Sequence, residues 1–113
     1  MEETQRYINS KEHISKYVEI KAIFQKYGIN HGNTERTTCL TNLKVNDIEI
    51  IDHTWCISKE LINAKLRTGQ PIIIKAKISE RIRPTQKIGI SELDVKISKI
   101  QFINKTKARR KKK

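Results

Sequence analysis

Residues 71–83 read PIIIKAKISERIR, and from Ile72 onward they divide by parity. Ile72, Ile74, Ala76, Ile78 and Ile82 form one set. Ile73, Lys75, Lys77, Ser79, Arg81 and Arg83 form the other. Successive side chains of a strand point to opposite faces, so the stretch predicts a strand with one face in a core. The other face carries four cations and, between 73 and 83, no acid, because Glu80 belongs to the inner set. Two readings stand for Lys75, Lys77, Arg81 and Arg83. They are the wet side of a sheet, or they are a track for phosphates.

The neighbouring segments support a mainly β chain. Val18, Ile20, Ala22 and Phe24 alternate with Glu19, Lys21, Ile23 and Gln25, a first strand that ends in the turn-rich YGINHGN. RTTCLTNLKV (36–45) and IEIIDHTWCI (48–57) flank Asn46-Asp47, two residues that tolerate the left-handed conformation of a tight hairpin. SKELINAKLRTG (58–69) has Ser58 as N-cap, an apolar face at helical spacing and Gly69 as a stop, which predicts a helix of about three turns. Strand four is the opening stretch, and the loop PTQKIGIS leads to strand five, ELDVKISKIQFI (92–103). There Leu93, Val95 and Ile97 share a face while Ile100 and Phe102 fall on the opposite parity, so a bulge near Ser98 is expected. Residues 1–15 read as a lead-in, either flexible or a short helix, residues 16–104 as the domain, and residues 105–113 as a disordered basic tail.

The order strand, strand, strand, helix, strand, strand resembles the OB-fold, a five-stranded Greek-key barrel with one helix between strands three and four. The phrase NDIEIIDHTWCIS…LRTGQPIIIKAKISE is also similar to a family of small OB-type proteins of phages and mobile elements. That resemblance spans residues 16–103. It implies nucleic-acid binding by analogy of fold.

Charge points the same way. The chain carries a formal +12, of which KTKARRKKK (105–113) supplies seven cations. The remaining 17 cations against 12 acids leave about +5 on residues 1–104. Nucleic acid is the commonest intracellular polyanion, and a basic surface attracts it in a salt-dependent way. No apolar run is long enough to span a membrane, and the polar start MEETQRYINS does not read as a signal peptide, so a cytoplasmic protein with no membrane partner is expected. Cys39 and Cys56 are too few for a disulfide scaffold and read as small core residues. His13, His31 and His53 have no ligand spacing, so no metal or other cofactor is expected. Phosphate-binding glycine motifs and nucleophile–base motifs are absent, and the chain reads as a non-enzyme with no catalytic residues.

Binding candidates follow from the barrel reading. Trp55, the single tryptophan, is either core packing between isoleucines or a stacking platform, and His53 lies on its side of the strand. Tyr27 and Arg36 flank the first loop, and Arg83 and Lys87 flank the fourth; these two loops would rim the usual groove. Arg109 and Arg110 in the tail would serve as an electrostatic arm. The expected function is binding of single-stranded nucleic acid, DNA before RNA, with little sequence preference. The alternatives are a protein-docking adaptor of a replication or mobile-element complex and a structured-RNA-binding or ribosome-associated OB protein.

Overall fold

Alternation along PIIIKAKISERIR governs the core of the protein. In the computed structural model, which describes residues 2–29, 32 and 35–105, this stretch lies in β5 (Pro71–Pro84). Ile72, Ile74, Ala76 and Ile78 are fully buried. Each buried isoleucine contributes about 1.5–3 kcal/mol relative to an exposed one. They meet the inner row of β2 (Tyr17–Ile29), where Ile20 pairs with Ile74, Ala22 with Ile72 and Val18 with Ala76. The alternation lapses beyond Ile78. Ile82, expected inside, is 62% exposed, because the hairpin of β5 with β6 (Ser91–Lys105) runs past the core.

The other strands are β1 (Glu2–Glu3), β3 (Arg36–Val45) and β4 (Ile48–Cys56), with helices α1 (Gln5–Ser10) and α2 (Lys59–Asn63). One mixed sheet of six strands results, in the order β1-β6-β5-β2-β3-β4. Within it, β5-β2-β3-β4 has the spatial order of a Greek key. Asn46 and Asp47 both take positive φ, 52° and 67°, and close the β3–β4 hairpin between paired Val45 and Ile48, as their chemistry predicts.

Three features depart from the sequence expectations. First, the sheet has six strands instead of five. Glu2 and Glu3 pair in parallel with Glu92 and Leu93, so part of the expected lead-in belongs to the sheet. Second, among the described residues no ladder joins β4 to β6. Helix α1 packs between them instead. Arg6 reaches Asp52 of β4 at 2.6 Å and Asp94 of β6 at 3.4 Å, and Asn9 donates to the Glu49 carbonyl at 2.8 Å. Arg6 also donates to the His53 carbonyl at 3.4 Å, so Asn9 and Arg6 occupy edge carbonyls of β4 that a strand partner would otherwise take. Third, α2 is five residues long. Ser58 caps it, accepting from the Leu61 N–H at 3.3 Å. Its other end is set from outside. The Tyr27 hydroxyl donates to the Leu61 carbonyl at 2.8 Å and accepts from the Leu66 N–H at 2.9 Å, and Lys65 turns to φ 53°. A left-handed residue interrupts the ladder, so the periodic pattern continues for only one buried side chain more, Leu66.

Candidate nucleic-acid interface

The outward face of β2, β3 and β4 is built by register. Lys26 lies opposite Cys39, which lies opposite Trp55; Ile23, Thr41 and His53 form the adjacent row. Side chains directly opposite one another share a face. Trp55 is 49% exposed and therefore stands outside the core. Its ring lies over Gly28, where an added Cβ would come within 2.8 Å of the indole, and the Lys26 ammonium sits 5.9 Å from the ring centroid. The half-exposed indole and the Lys26 ammonium put an aromatic surface beside a cation. No acid occupies either row. His53 is exposed next to Trp55, with its Nδ1 3.1 Å from Asp52. The Arg6 guanidinium hydrogen-bonded to Asp52 holds that carboxyl down at about 2.

Lys26 was not legible as a partner of Trp55. Simple alternation along β2 puts Tyr17, Lys21, Gln25 and Tyr27 outside. A bulge between Phe24 and Lys26 resets the phase. Lys26 then joins the outer face, and Tyr27 turns inward against Phe24, ring centroids 4.6 Å apart. The signal was the adjacent polar pair Gln25-Lys26, which breaks the period. Tyr27 is thus a structural residue, with its hydroxyl committed to α2. Arg36 is exposed, its guanidinium 5.6 Å from the Tyr27 ring, so it flanks the face without carrying it.

The cations of β5 divide. Lys75 and Lys77 lie opposite Glu19 and Tyr17 on β2 and opposite Gln101 and Ser98 on β6. Among the described residues neither enters an ion pair. Arg81 is exposed and likewise unpaired. Arg83 is different. It binds Glu92 at 2.6 Å and fully buried Asp94 at 3.2 Å, and its pKa is raised first by the Glu92 hydrogen bond. The stripe is acid-free along its own strand and not across the sheet. Arg83 is therefore withdrawn from the set of phosphate contacts. Lys87 is exposed in the β5–β6 turn, on the far side of Arg83 from Lys75. Arg109 and Arg110 lie outside the described residues.

Cys39 and Cys56 are free and buried, and burial pushes the Cys56 thiol up to about 12. Among the described residues no group of three or more His, Cys, Asp or Glu is placed to hold a metal, and no helix is long and apolar enough to cross a membrane. Comparison with known proteins finds no matching family, no matching curated relative and no matching solved structure.

Proposed function

We propose that the protein is a non-enzymatic module that binds single-stranded nucleic acid along its outer sheet face with little sequence preference. The observation that carries this reading is Trp55, a half-exposed indole seated on Gly28 beside Lys26. An aromatic face next to cations suits a polyanion with flat bases. Stacking contributes about 1–3 kcal/mol per base and tolerates any base. Phosphates would lie on Lys26, Lys75 and Lys77, with Arg36 and Arg81 at the margins. DNA is favoured over RNA on the phage-like resemblance alone.

The fold supports the same reading at a finer level. A Greek key with a helix between its third and fourth antiparallel strands is the plan of an OB barrel. We assign the chain to that type, with the seam between β4 and β6 filled by α1 in place of strand pairing. The groove side, β3 and β4, is then the side on which Trp55 is exposed.

Fluorescence anisotropy of labelled oligo-dT across a salt series tests the proposal. Saturable binding at low salt that weakens about 5- to 150-fold in Trp55→Ala is expected, the range that one lost stack corresponds to. An absence of binding at low salt would refute it, as would affinity unchanged after Lys75, Lys77 and Arg81 are all replaced by Glu.

One observation favours a second reading, a protein-docking module. Ile82, Ile88 and Ile90 are exposed by 62%, 101% and 46% where the β5–β6 hairpin projects. If deleting residues 105–113 removes all oligonucleotide binding while Trp55 emission ignores the oligonucleotide, the docking reading replaces the first.

A further inference from the structure

The bulge in β6 places a cation outside the regular ladder. Between the pairs Lys77–Ser98 and Lys75–Gln101, β5 advances two residues and β6 three. The surplus falls at Lys99, whose φ is 51°. Left-handed non-glycine residues are uncommon, and a bulge re-aims the side chain it carries. Here it lets Ile100 pack against the core and leaves Lys99 exposed. Lys99 then lines a shallow depression of about 550 Å³ with Tyr17, Lys75, Ile100 and Gln101. Tyr17 is 48% exposed and in register with Lys77. Glu19, opposite Lys75, is outnumbered by Lys75, Lys77 and Lys99, and none of these cations is ion-paired among the described residues.

We infer that this depression is a second subsite for the bound single strand, with a base on Tyr17 and its flanking phosphates between Lys75 and Lys99. The inference rests on the Trp55 reading and extends it. An exposed aromatic ring beside unpaired cations recurs here, on the same outer face of β2 that carries Lys26. The rows of Lys26 and Glu19 are separated by roughly 20 Å along β2 at the usual strand rise. A short oligonucleotide fills one subsite and a long one fills both, so the second subsite adds affinity only with length.

Binding of oligo-dT of about 4 and about 16 nucleotides, the span of site sizes known for such folds, separates the outcomes. The variants are Tyr17→Ala and Lys99→Gly. The second removes the cation while suiting the positive φ, so it keeps the fold. The expected result is that each variant leaves the short oligonucleotide within about twofold and weakens the long one, Tyr17→Ala by about 5-fold or more. Lys99→Gly also lowers the salt slope for the long one by about 0.7, one phosphate contact. Unchanged long-oligonucleotide binding in both variants, with Trp55→Ala still weakening it, would overturn the second subsite and leave the Trp55 reading standing. Equal losses at both lengths would also overturn it. Failure of the unaltered protein to bind either length would overturn both.

Discussion

The two halves of β5 carry the same kind of residue and do different things. Lys75 and Lys77 stand over the fully buried Ile74, Ala76 and Ile78 and have no ionic partner among the described residues. Arg83, on the half that leaves the core, is held by Glu92 and Asp94, and Asp94 in turn is shared with Arg6 from α1. A cation that neutralises a buried carboxylate is part of the fold. A cation that makes no ion pair is available to a ligand. The sign of the charge alone does not separate these roles, and neither does an acid across the ladder, since Lys75 faces Glu19 as Arg83 faces Glu92; the ion pair that is made does.

The comparison can be broken at several points. Asp94→Ala removes a fully buried carboxylate from between Arg6 and Arg83 and should lower stability by about 3 kcal/mol in denaturant unfolding. Oligonucleotide affinity of the folded protein should stay within about twofold; a larger loss would put the acidic seam in the interface. Reversing Lys75 and Lys77 to Glu should do the opposite. The salt slope of oligo-dT binding should fall by about 1.4, two phosphate contacts, with stability changed by about 0.5 kcal/mol or less. Arg83→Ala should cost about 1–2 kcal/mol of stability, less than Asp94→Ala because Arg83 is itself 39% exposed, and should leave the salt slope alone. A slope reduced by Arg83→Ala would erase the distinction between the two halves.

The smallest effect is a pH effect. Asp52 has its carboxyl lowered from 3.8 to about 2 by the Arg6 hydrogen bond. A depressed carboxylate stabilises the fold fully above the unfolded value and loses that contribution as pH falls through the folded value. The stability advantage of the unaltered protein over Asp52→Asn should therefore be constant above about pH 5 and decline between about pH 4 and pH 2. Thermal melts across that range measure it, and an advantage that grows on acidification would contradict the Arg6–Asp52 tie.

What the sequence revealed and what it hid follow from range. The inner set of β5 as far as Ile78, the Asn46-Asp47 hairpin, the Ser58 cap and the bulge near Ser98 are local patterns, and each appears in the structure. Parity alone moves Ile100 and Phe102 to the other face, and only an extra residue in β6 brings both back against the core. The partners of Arg83 lie 9 and 11 positions away on another strand, and strand parity says nothing of them. The early end of α2 was hidden for the same reason, since Tyr27 reaches it from β2. Trp55 is flanked by isoleucines of which Ile51 is buried and Ile57 is half exposed, so its neighbours in sequence point both ways. Its exposure follows from where β4 lies in the sheet, at an edge beside β3. Lys26 and Lys99 became visible only with the bulges that turn them outward.

The most direct test uses Trp55 itself. It is the only tryptophan in the chain, so intrinsic emission reports on that ring alone. Titration with unlabelled oligo-dT at low salt should quench or shift the emission to saturation, and added salt should reverse the change with the slope found by anisotropy. Emission unchanged while anisotropy shows the oligonucleotide bound would contradict a strand stacked on the outer face of the sheet.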